Sequence, residues 1–198
     1  TVQNSRDHRK ICIIDGKVAF TGGVNLADEY ANEITRFGHW KDTAIMLKGD
    51  AVQSFTMLFL EMWAVNQMEP ADCQNYLTPK HVVSDPPHGY VIPYGDHPYD
   101  NENVGEEVYF HILNHSKKYV HIMTPYLILD SEMITTLTRT AKSGIEVIII
   151  MPHIPDKWYA FVLAHTYYKE LIQAGVSIYE YTPGFVHAKV FVADDDTA

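Results

Sequence analysis

Cysteine is scarce in this chain. Among 198 residues there are 2, Cys12 and Cys73, too few for a disulfide framework and in keeping with a reducing compartment. Cys12 lies inside an apolar run and reads as a small buried hydrophobe. Long hydrophobic runs are absent too. No stretch approaches the ~18 apolar residues needed to span a bilayer, and no secretory leader pattern is present. Positive charge is in deficit: 15 Lys and Arg face 25 Asp and Glu, for a net charge of −10. That argues against a general nucleic-acid coat, which needs a basic face. An anionic substrate stays open, because a few cations focused in a cleft override the net charge. No short-period repeat appears.

Apolar residues are plentiful at 46%, so the chain has material for a core and disorder is not expected. Its plainest feature is one stretch written twice. His8-Arg9-Lys10-Ile11-Cys12-Ile13-Ile14-Asp15 stands near the start, and His187-Ala188-Lys189-Val190-Phe191-Val192-Ala193-Asp194 near the end. Both read His-x-Lys, four mostly apolar residues, then Asp.

Between them the pattern predicts an order of elements. The run 8–15 suits a strand buried on both faces. Asp15-Gly16 then turns into a strand at 18–21. Gly22-Gly23 permits close backbone approach to a ligand, or a bulge. Residues 26–38 read as an irregular polar excursion, and 40–47 as one strand. A helix is expected over 51–65, with Val52, Phe55, Leu58, Phe59 and Met62 on its buried face. Pro- and Gly-rich punctuation marks 69–88 as a linker. Then follow a short strand at 90–93, a helix at 103–116 and a strand at 119–123. A helix from Ser131 to Ser143 is stopped by Gly144. A strand at 146–151, a helix at 156–174 stopped by Gly175, a strand at 176–181 and the second motif strand complete the order. This alternation predicts an α/β fold with a largely parallel or mixed sheet, covered on both faces.

In a strand, residues two apart share a side, so His8 lies with Lys10 and His187 with Lys189. A single His-x-Lys is commonplace and belongs as readily on a surface strand. Two copies at the same spacing favour chemistry. An imidazole beside an ammonium is a poor metal site, since Lys is a weak ligand and no Cys or carboxylate stands at ligand spacing. It suits phosphate: the ammonium neutralises non-bridging oxygens, and the imidazole attacks phosphorus or moves a proton. Neither metal nor cofactor is required.

The doubled His-x-Lys-x4-Asp pattern resembles the phospholipase D superfamily. Its surroundings narrow the match. Asp15-Gly16-Lys17, Phe20-Thr21-Gly22-Gly23-Val24-Asn25, Trp40-Lys41-Asp42, Thr124-Pro125-Tyr126, residues 152–157 and residues 181–187 look like a bacterial cardiolipin synthase. The resemblance implies a phospholipase D-like α/β/α sandwich of two similar lobes, with the active site where they meet. On this reading residues 1–68 are the end of the first lobe, 69–88 a linker, and 89–198 the front of the second. The chain then reads as a piece of a longer protein, without transmembrane segments itself. The parent is expected at the cytoplasmic side of a bacterial membrane.

The resemblance also implies a double displacement at phosphorus. His8 would attack phosphatidylglycerol, and His187 would protonate the departing glycerol, then deprotonate the hydroxyl of a second phosphatidylglycerol. The sequence itself is symmetric and does not order the two histidines. Lys10 and Lys189 would hold phosphate with help from Asn25. Asp15 and Asp194 complete the catalytic motifs and are expected to act structurally. Asp42 is the candidate to orient His8. The expected partners are phosphatidylglycerol and membrane lipid, with no nucleic acid. Self-association through unpaired sheet edges is also open. Water or serine as acceptor, giving a phospholipase D or a phosphatidylserine synthase, is the neighbouring alternative. A phosphate-binding piece without turnover is the alternative of another class.

Overall fold

Asp15 and Gly16 adopt φ values of 53° and 62°, a left-handed conformation that Asp tolerates and Gly adopts freely. The chain reverses there, with the Lys17 N–H donating to the Ile14 carbonyl at 2.9 Å. The computed structural model describes residues 7–67, 73–77, 89–96 and 101–198. In order, the elements are β1 (Ile11–Ile14), β2 (Val18–Gly22), β3 (His39–Lys41), β4 (Ala44–Lys48), α1 (Ala51–Gln67), α2 (Val104–His115), β5 (Tyr119–Met123), α3 (Ser131–Lys142), β6 (Glu146–Pro152), α4 (Trp158–Ala174), β7 (Ser177–Tyr181), β8 (Gly184–Val186) and β9 (Val190–Ala193). No helix among the described residues is long and apolar enough to cross a membrane.

The chain divides into two compact units: Thr1–Gly22 with Ala44–Glu102, and Gly23–Thr43 with Asn103–Ala198. The expected boundary fell in the 69–88 stretch. Instead, residues 23–43 join the second unit, because β3 pairs in parallel with β8. Most of 69–88 lies outside the described residues; 73–77 form a turn closed by the Tyr76 N–H on the Cys73 carbonyl at 3.1 Å.

In the first unit β1, β2 and β4 form an antiparallel sheet. Strand alternation points Ile11, Ile13, Ala19 and Leu47 at Val52 and Phe55 of α1, making a small core. Cys12 is on the opposite side and exposed. The first motif strand is therefore buried on one face, not two. The buried face of α1 comprises Val52, Phe55, Thr56 and Leu60, while Phe59 is 46% exposed. The expected stripe is rotated because Thr56 satisfies its hydroxyl within the helix, donating to the Val52 carbonyl at 2.9 Å. A hydroxyl so paired can be buried. The strand expected at 90–93 does not form. Tyr90, Val91 and Ile92 are exposed coil, and so short a run gains too little without burial.

In the second unit the sheet order is β7-β6-β5-β9. Its first three strands are parallel, and β9 runs antiparallel to β5. Val120, Ile122, Val147, Ile149 and Met151 pack with Ile112 and Leu113 of α2, Leu137 of α3, and Ala164 and Leu171 of α4. All three helices thus cover one face. The other carries polar groups such as the His121–Glu146 pair at 2.8 Å, and among the described residues of this unit no helix covers it. Helix ends follow local chemistry. The Asp130 carboxylate caps α3 by accepting the Met133 N–H at 2.8 Å. Gly175, at φ 104°, stops α4 in a left-handed conformation.

Two expected strands are each broken. The 40–47 run divides at Asp42-Thr43, with β3 joining β8 and β4 joining β2. The second motif divides at residues 187–189, between β8 and β9. Both breaks position chemistry.

Candidate active site

In the β3–β8 pair Trp40 stands opposite Phe185, and the Lys41 carbonyl accepts the His187 N–H at 2.7 Å. This parallel register carries Asp42, the next residue of the chain, to His187. The His187 Nδ1 and an Asp42 carboxylate oxygen are 2.9 Å apart. On the other side of the ring, Lys189 Nζ is 2.8 Å from Nε2 and donates to the His187 carbonyl at 2.7 Å. An ammonium only donates and a carboxylate only accepts. The neutral imidazole therefore carries its proton on Nδ1, toward Asp42, and its lone pair on Nε2, beside Lys189. An imidazole in that state takes up a proton, and the carboxylate behind it stabilises the resulting cation.

The Asp42 and His187 side chains are only 5% and 8% exposed. Burial works against the Asp42 carboxylate. The His187 hydrogen bond, the Thr43 N–H at 2.8 Å and the charge of Lys189 outweigh it and hold the group below the usual carboxylate range. The ring is walled by Tyr30 edge-on at 5.3 Å, Trp40 at 5.3 Å and Phe185 at 6.0 Å between centroids. These rings exclude water and fix the imidazole plane. Gly23 sits against the pair. A Cβ there would lie 2.9 Å from the Asp42 carboxyl carbon and 2.9 Å from the His187 carbonyl oxygen. The double glycine was expected to admit a ligand or form a bulge; what Gly23 approaches closely is the Asp42–His187 pair.

Asp42 was expected beside His8; its carboxylate is instead bonded to His187, because the strand register decides its partner. Asn25, expected at phosphate, donates its amide to the Tyr30 hydroxyl and so lies one residue removed from the His187 ring. Tyr30 falls in the excursion read as irregular, where no periodicity marks it. Asn32 organises the same loop by bonding the Trp40 backbone at both N–H, 2.6 Å, and carbonyl, 3.1 Å.

His8 and Lys10 belong to the first unit, where Lys10 Nζ donates to the His8 carbonyl at 2.5 Å. Lys189 makes the same bond to His187. The echo extends to the far end of each motif. Asp194 and Asp195 have φ values of 57° and 64°, matching Asp15 and Gly16, and the Asp196 N–H closes the turn on the Ala193 carbonyl at 3.1 Å. The Asp194 carboxylate accepts the N–H groups of Lys117, Lys118 and Tyr119 at 2.7, 2.9 and 3.0 Å. The Tyr119 N–H in particular holds its carboxyl below the usual range. Asp194 is thus a clamp on the start of β5. Asp15 is an exposed turn residue. Among the described residues no group of three or more His, Cys, Asp or Glu is placed to hold a metal ion.

Residues 109–198 match the family described as "Cardiolipin synthase, PLD-like domain". Over 195 residues the chain is 37% identical to the cardiolipin synthase of Geobacillus kaustophilus, covering 98% of this chain and 39% of that one. Over residues 109–198 the chain is thus similar to a PLD-like domain. The chain is also 39% identical to cardiolipin synthase 2 of Bacillus cereus over 98% of this chain and 38% of the relative. It is 58% identical to an uncharacterized protein of Streptococcus mutans over 98% of this chain and 42% of the relative. The chain thus spans about two fifths of the length of the curated relatives it matches. The crystal structure of a phosphatidylserine synthase from Haemophilus influenzae superposes with a TM-score of 0.59 at 14% identity, covering 95% of this chain and 52% of that one. At that identity the likeness is one of fold.

Proposed function

We propose that this chain belongs to the phospholipase D superfamily and forms the catalytic part of a phosphatidyltransferase that condenses two phosphatidylglycerols into cardiolipin and glycerol. The observation that carries the reading is the Asp42–His187–Lys189 relay, at 2.9 and 2.8 Å. It presents a basic imidazole nitrogen and an ammonium side by side, the pairing that phosphoryl chemistry needs. Relatives named cardiolipin synthase, 37% and 39% identical, favour a phospholipid donor and a lipid acceptor.

In this mechanism His8 is the nucleophile. A ring nitrogen of His8 attacks phosphorus, a P–N bond forms, and the P–O bond to glycerol breaks. His187, which enters this step as the imidazolium, gives its Nε2 proton to the leaving oxygen. The acceptor hydroxyl then returns a proton to His187 as its oxygen attacks phosphorus, and the P–N bond breaks. Asp42 stabilises the His187 imidazolium that enters the first step and is restored by the second, and Lys10 and Lys189 neutralise the phosphate oxygens. No metal or cofactor takes part.

The test uses the natural protein and phosphatidylglycerol labelled at phosphorus. An acid-labile protein adduct and labelled cardiolipin are expected, and His8→Ala abolishes both. Phosphatidic acid as the sole product would overturn the lipid acceptor. An adduct that survives His8→Ala and disappears in His187→Ala would reverse the two histidines.

A further inference from the structure

A second polar cluster lies in the same unit as His187. Tyr126 follows β5 and Asp156 follows β6, so both stand at the carboxyl ends of adjacent parallel strands, where α/β sheets gather ligands. The Tyr126 hydroxyl donates to Asp156 Oδ2 at 2.6 Å. Lys157 Nζ donates to the same hydroxyl at 3.2 Å and stands 5.0 Å over the Tyr126 ring. The cluster borders the His187 enclosure: Tyr126 packs on Phe185 at 6.4 Å, and Phe185 on His187 at 6.0 Å.

Its hydrogen bonding is unfinished in a specific way. Asp156 Oδ1 is buried and has no donor among the described residues. A buried carboxylate oxygen left unpaired is costly. The Tyr126 proton is committed to Asp156, so its oxygen can only accept. The Lys157 side chain is 48% exposed, and its ammonium has N–H groups beyond the one on Tyr126. The cluster thus offers acceptors and a donor together, which matches a hydroxyl group, itself both donor and acceptor. Neither the histidine chemistry nor the Asp194 clamp uses these residues.

We propose that Tyr126, Asp156 and Lys157 form the subsite for the hydroxylated head group of the acceptor, a glycerol moiety, and so select a polyol over a simple alcohol or water. The inference rests on the phosphatidyltransferase reading. A substrate hydroxyl donates to the carboxylate of Asp156 and accepts from Lys157. A site built to pair a hydroxyl discriminates strongly against analogues that lack it.

The experiment is an acceptor competition on the natural protein in phosphatidylglycerol vesicles. Labelled glycerol and labelled ethanol are supplied together, and cardiolipin is measured in the same reaction. Asp156→Asn is expected to lower glycerol transfer relative to ethanol transfer about tenfold, the scale of one charged hydrogen bond. Tyr126→Phe and Lys157→Met, which keep the ring and the aliphatic stem, are expected to shift the ratio in the same direction. A fall in both free-glycerol transfer and cardiolipin assigns the cluster to the polyol as such. A fall in cardiolipin alone assigns it to lipid-borne glycerol. Parallel loss of glycerol and ethanol transfer would make the cluster a support for the fold and overturn the inference, as would an unchanged ratio in all three variants with cardiolipin formation also unchanged. If the unaltered protein transferred the phosphatidyl group to no acceptor, the proposed function itself would fall, and that outcome is distinct.

Discussion

At the scale of single residues the central object is one imidazole with both nitrogens occupied. Asp42 accepts the hydrogen bond from Nδ1–H and Lys189 faces the Nε2 lone pair, so removing the carboxylate charge disturbs both ends. Asp42→Asn is expected to reduce turnover of the natural protein by about two to four orders of magnitude, because an amide no longer fixes the tautomer or stabilises the imidazolium. Substrate binding should change far less. The same variant carries a pH signature. The native Asp42 carboxyl titrates below its unfolded value of about 3.9. Its stabilising contribution is therefore complete above that value and is lost as pH falls through the native one. Urea unfolding midpoints of the unaltered protein and Asp42→Asn should differ at neutral pH and converge below about pH 4. The residue types were legible from the sequence, since both His-x-Lys pairs and Asp42 stand out. Asp42's partner was not, because 145 positions separate it from His187 and no local pattern encodes that register. Tyr30 was invisible for a related reason: its role comes from ring contacts made only once β3 and β8 have paired.

Elements in the second unit were legible because each level agrees. The β5 and β6 runs are largely apolar, Pro152 ends β6, and Gly144 and Gly175 mark the ends of the helices beside them. What the pattern concealed were the breaks. Residues 40–47 read as one strand because the apolar residues continue across Asp42-Thr43, and hydropathy does not say which sheet each half joins. The two motif strands are both four residues long and end in the same left-handed turn, yet their aspartates have different tasks. Asp194 secures three backbone N–H groups at the start of β5, whereas Asp15 closes an exposed hairpin. Asp194→Ala is accordingly expected to lower the melting temperature and to speed amide exchange at Tyr119 and in β9. Asp15→Ala should do neither to a comparable degree. Calorimetry and hydrogen exchange on the two variants check the contrast, and equal effects would contradict it.

On the scale of the whole molecule, the division into units does not follow the chain. The second unit draws β3 and its loop from residues 23–43 and the remainder from residues after 102. A piece comprising residues 103–198 keeps the four-stranded sheet and its helices but loses Trp40, Tyr30 and Asp42. Phe185, fully buried in the fold, then lies bare along β8. Such a piece is expected to keep helical and sheet signals by circular dichroism but to bind an apolar dye and self-associate. Adding residues 23–43 as a separate peptide should reverse the dye binding. No effect of the peptide would mean that β8 is ordered without β3.

The β3–β8 pairing also sets a clock. His39 and Gly184 are register partners, so during synthesis β3 emerges some 145 residues before the strand it needs. At roughly 5–20 residues per second, Trp40 waits on the order of ten to thirty seconds for its neighbour. A three-residue strand cannot hold itself together meanwhile. Assembly of the Asp42–His187 pair is therefore limited by translation rather than by the microsecond chemistry of folding, and an apolar tryptophan bound for burial is within reach of chaperones throughout.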